Sequence, residues 1–201
     1  MKKLTTADYV TMPWKNGGGV TTQLAIAPPD ADLNNFDWRI STAQVAEAGP
    51  FSLFAGIDRS IAVLQGGGMA FDLGGIHTTI LTPDNKPFVF RGEQHVHATL
   101  LDGPISDFNV MTRRTCWTHE LQTVRLCGAL QWTLNTDLMF LYCAHGASVR
   151  CRNARGEEID CAAGDAILID AGDGDHVDLS TTEPAGLYVV HLSYKGNPDV
   201  Q

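Results

Sequence analysis

Short apolar runs separated by glycines set the rhythm of this chain. Residues 60–65 (Ser-Ile-Ala-Val-Leu-Gln) are apolar on both faces, turn at Gly66-Gly67-Gly68, and continue into the apolar-rich run 69–73. That is the pattern of paired strands in a sandwich or barrel. Residues 38–45 alternate in part, which places Arg39, Ser41, Ala43 and Val45 on one strand face. Further strands are expected near 77–81, 88–91 and 98–102. The run from Asp107 to Arg114 alternates so that Asp107, Asn109 and Met111 point one way and Phe108 and Val110 the other. Helical periodicity is scarce, and glycine turns punctuate the strands.

The second half repeats this grammar. Residues 138–150 echo the stretch 60–73 as strand, glycine turn and return strand, giving a period of about 78 residues from Ile61 to Met139. A turn and buried strand follow at 164–170, and a last strand at 185–193. The pattern predicts an all-β protein of two jelly-roll β-barrel halves, one over residues 1–115 and one over 116–201, with the final strands open to exchange between halves. A single large sandwich is the alternative.

Composition narrows the function. Fourteen basic against twenty-three acidic side chains give a net charge of −9, which repels phosphate backbones, so no nucleic-acid partner is expected. No apolar run approaches a membrane span, and no apolar segment follows Lys2-Lys3, so the expectation is a cytoplasmic protein without membrane attachment. The five cysteines, all in the second half, form no C-x-x-C pair and are expected to be reduced core thiols.

Three stretches could carry chemistry. Pro13-Trp14-Lys15-Asn16-Gly17-Gly18-Gly19-Val20-Thr21 sets an aromatic, a cation and an amide before glycines that can bring backbone N–H groups close to a ligand. It is not a P-loop, because Lys15 precedes the glycines. A flexible turn is the plain alternative. In the second stretch, Arg39 and Arg59 could fork a carboxylate, although Asp58 beside Arg59 invites a simple ion pair. In the third, an interior Asn109 needs a hydrogen-bond partner, from ligand or protein.

In combination these residues resemble the HutD/Ves family of bicupins. The resemblance rests on Pro13-Trp14-Lys15-Asn16-Gly17-Gly18-Gly19-x-Thr21, Trp38-Arg39-x-Ser41-x-Ala43-x-Val45, Gly49-Pro50-Phe51-Ser52-x-Phe54-x-Gly56-x-Asp58-Arg59, and Asp107-x-Asn109-Val110-Met111. It spans about the first 115 residues. The resemblance implies a two-barrel cupin without known enzymatic activity, linked to histidine utilisation and sensing a small anionic metabolite there. Urocanate or a formimino or formyl glutamate derivative is the expected ligand class. The implied ligand-binding set is Trp14, Lys15, Asn16, Gly17, Gly18, Arg39, Ser41, Arg59, Asn109 and Met111. Gln23 stands where many relatives are expected to have glutamate, which puts a carboxylate role there in doubt.

Metal and enzyme readings have less behind them. Many cupins hold a metal through two histidines one residue apart, a nearby glutamate and a later histidine. His95-Val96-His97 is the one candidate pair, and no glutamate follows it within several residues, so no metal or other cofactor is expected. Asp170, Asp173, Asp175 and Asp178 only loosely resemble a calcium loop and are expected to be solvated turn residues. No nucleophile elbow is present, and no catalytic residue is assigned. The competing functions are a cupin isomerase or hydrolase acting on a small carboxylate, and a stress-related interaction module. A homodimer is expected by fold analogy alone.

Overall fold

The computed structural model describes residues 1–74 and 78–196. The chain divides into two compact units, one of residues 10–118 with Lys195, the other of residues 1–9 and 119–194. The first nine residues thus leave the half to which the sequence pattern assigns them. Their strand β1 (Lys2–Leu4) pairs with a strand of the second unit. The strand expected at 77–81 begins at Thr78, and His77 lies outside the described residues.

The first unit is a barrel of two sheets. Its six-stranded sheet runs in the order β2 (Val10–Pro13), β3 (Gly19–Ala27), β4 (Trp38–Val45), β11 (Ile105–Arg113), β6 (Ile57–Gln65), β9 (Phe88–Arg91). Its four-stranded sheet is β5 (Gly49–Pro50), β10 (His97–Leu100), β7 (Met69–Asp72), β8 (Thr78–Leu81). Side chains of alternate residues enter the interior, where Val45, Ile61, Val63, Met69, Phe71, Leu81 and Phe90 form an apolar cluster. Phe71 is fully buried and packs against Phe51, Phe88 and Phe90.

The second unit repeats the plan. A five-stranded sheet is ordered β1, β17 (Ala166–Asp170), β14 (Leu138–Gly146), β19 (Ala185–Tyr194), β12 (Trp117–Leu126). The four-stranded partner is β13 (Ala129–Thr133), β18 (His176–Ser180), β15 (Val149–Asn153), β16 (Glu158–Cys161). Each strand from β4 to β11 finds its counterpart eight strands later, with the same neighbours among these strands.

The repeat is 80 residues, not the 78 read from the apolar runs. Gly66 and Gly146, at φ +99° and +92°, occupy the same turn, and a Cβ on either would run into a proline carbonyl, that of Pro104 or Pro184. Two conditions therefore demand glycine there: a left-handed backbone and a close strand crossing.

Cys143, Cys151 and Cys161 are core thiols of the second unit, and burial pushes Cys151 and Cys161 up to about 12. Cys127 is exposed and Cys116 half-buried, so the core expectation fails for those two. Asp173 also departs from its expected solvated role: it is buried and accepts from the Met1 ammonium and the Asn153 amide. Among the described residues no helix is long and apolar enough to cross a membrane.

The turn geometry predicts graded costs. Gly103→Ala, at φ +67° with open space around the new Cβ, should cost about 1 kcal/mol. Gly66→Ala, whose Cβ would lie 2.7 Å from the Pro104 oxygen, should cost at least about 2 kcal/mol because the strands must also shift. Thermal unfolding midpoints should rank wild type, Gly103→Ala, Gly66→Ala in falling order.

Candidate functional site

The first barrel's polar residues converge because β4, β11 and β6 lie side by side in register. Met111 faces Arg39 on one side and Arg59 on the other; Asn109 faces Ser41 and Ile61; Asp107 faces Ala43 and Val63. Alternation then sends Arg39, Ser41, Arg59, Asp107, Asn109 and Met111 to the interior face. All six are buried, with Arg39 and Arg59 only 6% and 4% exposed. A row of polar groups therefore stands beside the apolar cluster of the same barrel.

Arg59 is boxed by rings. Its guanidinium carbon lies 4.8 Å from the Phe90 ring centre, 5.0 Å from Phe51 and 5.6 Å from Phe54, a set of cation–π contacts that holds the group without neutralising it. The stretch from Gly49 to Phe54 supplies two of the three rings, and β9 supplies Phe90. Phe51 and Phe54 are pinned by backbone bonds to Val96 and Gly92, and the Ser52 carbonyl accepts from Arg59 at 3.3 Å. Asp58 is not the partner of Arg59: neighbours on a strand face opposite ways, and Asp58 accepts from Arg114 Nε at 2.7 Å.

Charge is left unbalanced here. Arg39 donates through Nε to the neutral Gln23 Oε1 at 2.8 Å, while Arg59 Nε, Asp107 Oδ1 and Asn109 Oδ1 have no hydrogen-bond partner. Among the described residues neither guanidinium belongs to an ion pair. Burial lowers the Arg39 pKa and brings Arg59 down to about 10, opposed by Asp107 and reinforced by Arg39. Burial also raises the Asp107 carboxyl to about 7, against the pull of Arg59 and of a hydrogen bond from the Ala43 backbone.

The Trp14 to Gly19 segment is a closed turn between β2 and β3. Trp14 N–H donates to the Gly19 carbonyl, Gly17 N–H to the Trp14 carbonyl, and Gly18 N–H to Asn16 Oδ1 at 3.1 Å. The Trp14 indole donates to Thr21 Oγ1 at 2.8 Å and packs on the barrel core. Gly19 must lack a side chain, since a Cβ would meet the Gln44 carbonyl at 2.5 Å and the Trp14 ring at 3.0 Å. Lys15 and Asn16 are exposed, and the Asn16 oxygen is occupied within the turn. The structure thus unites Arg39, Ser41, Arg59, Asn109 and Met111, and does not bring Lys15, Asn16, Gly17 and Gly18 into that buried row.

Two contributors lay outside the expected set. Asp107 shares the Asn109 and Met111 face, which alternation in the sequence already indicated. Gln23 keeps an acceptor for Arg39 where a carboxylate was expected, so the arginine stays unneutralised. His95 and His97 are both exposed; they line a shallow site of about 210 Å³ with Pro50, Phe51, Asp72, Gly74 and Val96. Among the described residues no three His, Cys, Asp or Glu side chains converge as metal ligands would.

The second barrel shows what the first would be without this row. A shift of 80 residues carries Arg59 to Met139, Ile61 to Leu141, Asp107 to Leu187 and Asn109 to Val189, all buried in one apolar core. At these four positions the polar row of the first barrel has apolar counterparts, while Met111 has the buried His191 as its counterpart.

Comparison with known proteins agrees with this architecture. An uncharacterised 21.2 kDa protein from the hutC 3′ region of Pseudomonas putida is 38% identical over 145 residues, covering 72% of this chain and 75% of that protein. A conserved protein of unknown function from Pseudomonas aeruginosa PAO1 superposes with a TM-score of 0.89 at 36% identity, over 96% of this chain and 98% of that one. HutD from Pseudomonas fluorescens SBW25, solved in a formate condition, gives a TM-score of 0.81 at 31% identity over 97% and 99%. Bacillus subtilis oxalate decarboxylase, at 10% identity and a TM-score of 0.64, covers 94% of this chain with 76% of its own and shows the shared cupin fold. With the HutD family model matching residues 6–188, the chain belongs to the HutD family.

Proposed function

We propose that the first barrel binds a small carboxylate-bearing metabolite, held by Arg39 and Arg59, and that this binding regulates histidine utilisation by sensing or sequestering a pathway intermediate. The observation that carries this reading is the pair of buried guanidinium groups that have no ion-pair partner among the described residues. Burying a charge without compensation costs several kcal/mol, which an entering carboxylate would offset. The acceptors Asn109 Oδ1 and Asp107 Oδ1 would meet the polar end of the ligand. Urocanate and formimino or formyl glutamate have the required chemistry, each pairing a carboxylate with an N–H group. The hutC-region relative and the HutD homologue support the pathway. The net charge of −9 slows long-range capture of an anion but does not decide binding beside two arginines whose near field is cationic.

A second reading has one observation behind it. A carboxyl near neutral pKa in a buried site is suited to general acid or base work, so Asp107 would be the acting group of a cupin isomerase or hydrolase. Turnover separates the two: a binding protein returns its ligand unchanged.

Calorimetric titration with urocanate, formiminoglutamate, formylglutamate and histidine tests the site. At least one carboxylate should bind saturably and be recovered intact. Arg39→Ala should weaken it by about tenfold or more, as loss of a hydrogen bond to a charged group does. Asn109→Ala should weaken it less, by about fivefold. Absence of binding by all four would refute the reading, and consumption of the ligand would favour the enzyme.

Asp107 makes the site sensitive to pH. Its folded carboxyl titrates near 7 against an ordinary value of 3.8, so the native state holds a proton that the unfolded state releases. Stability from this group is present below the unfolded value and is lost as pH rises through the window between the two. Ionised Asp107 also competes with the ligand for the arginines. Carboxylate affinity should therefore fall as pH rises from 6 to 8, and the fall should flatten in Asp107→Asn.

A further inference from the structure

The second barrel opens on a concave site of its own. It lies where β12 and β13, each an edge strand of its sheet, separate after the turn at Cys127-Gly128. The site measures about 510 Å³ and is lined by residues of the second unit alone, among them Glu120, Gln122, Trp132, Thr133, Asn135 and His191. Its volume is that of small-molecule sites in general.

His191 is the unusual member. It is only 7% exposed, and its Nδ1 has no hydrogen-bond partner. The 80-residue repeat puts it at the place of Met111, the centre of the arginine row in the first barrel, and here it faces Met139 across the sheet. The Trp132 ring lies beside it at 5.5 Å and 37°. Burial lowers the His191 pKa, opposed by Glu120, so the ring is neutral and offers an acceptor nitrogen at neutral pH.

The lining is rich in acceptors and has no cation. Glu120 is the one charged residue in it, and Gln122 Nε2 donates to its Oε1 at 2.8 Å. Trp132 supplies a flat aromatic face. A carboxylate, an aromatic face and a neutral imidazole in one concavity suit a positively charged ligand with several N–H groups in one plane. The first barrel, with its two arginines, suits the opposite sign.

We propose that the mouth of the second barrel is a separate binding site for a small planar organic cation of the amidinium or guanidinium class, stacked on Trp132 with N–H groups directed to Glu120 and His191. The two barrels of one chain would then hold ligands of opposite charge.

Titration of the full chain with benzamidinium and methylguanidinium, followed by calorimetry, tests this. Saturable binding of at least one is expected. Glu120→Gln, a surface change that leaves the core intact, should weaken it about fivefold, the worth of one partly exposed ion pair. His191→Leu should weaken it as well, and Trp132→Leu should abolish it. Arg39→Ala, in the first barrel, should leave it unchanged, and acetate should not compete. No saturable binding of either cation overturns the proposal. So does binding that Glu120→Gln and Trp132→Leu leave intact, or binding lost in Arg39→Ala. Circular dichroism of each variant shows that the fold is retained, and if Trp132→Leu or His191→Leu does not fold, Glu120→Gln alone decides.

Discussion

Two guanidinium charges buried on one face of one sheet, in no ion pair among the described residues, are the constraint on which the rest of this site depends. A barrel interior can hold such charges only if something else supplies what water would have given. Here three phenylalanine faces surround Arg59, Gln23 accepts from Arg39, and the carboxyl of the same row, Asp107, is raised to about 7, so that it is only partly ionised near neutral pH. Each of these devices tolerates the charge without cancelling it. An interior arranged that way has use for an anion from outside.

The duplicated architecture explains how the chain can carry such an arrangement and remain folded. The second barrel fills the positions equivalent to Arg59, Ile61, Asp107 and Asn109 with Met139, Leu141, Leu187 and Val189, and keeps one buried polar side chain in that row, His191. The first barrel places its polar row beside a tight group of stacked and edge-on phenylalanines. The two halves thus share a topology but differ in this row, which is apolar at four positions in the second barrel and mostly polar in the first. The glycine turns at Gly66 and Gly146 repeat each other closely, with the same left-handed backbone and the same clash against a proline carbonyl.

Much of this was legible in the sequence because strand alternation has a period of two and needs only local information. Alternation alone put Arg39, Ser41, Ala43 and Val45 on one face, and Asp107, Asn109 and Met111 on another; register, a tertiary property, then joined them into rows. The partner of Asp58 could not be read locally, since Arg114 is distant in sequence and adjacency along the chain suggested Arg59 instead. The place of residues 1–9 depends on pairing with β17, more than a hundred and fifty residues away. Lys15 and Asn16 attracted notice as a cation and an amide before glycines, but Asn16 caps its own turn and Lys15 is exposed. His191 carried no motif at all; only its burial and orphaned nitrogen mark it.

A crystal structure of the protein grown with urocanate or formylglutamate would test the central claim most directly, by where the carboxylate lies. The account predicts its oxygens within hydrogen-bond distance of the Arg39 or Arg59 guanidinium, with Asn109 and Asp107 turned to the ligand's polar end. A carboxylate seated elsewhere, with both arginines as they stand now and their surroundings unchanged, would contradict it.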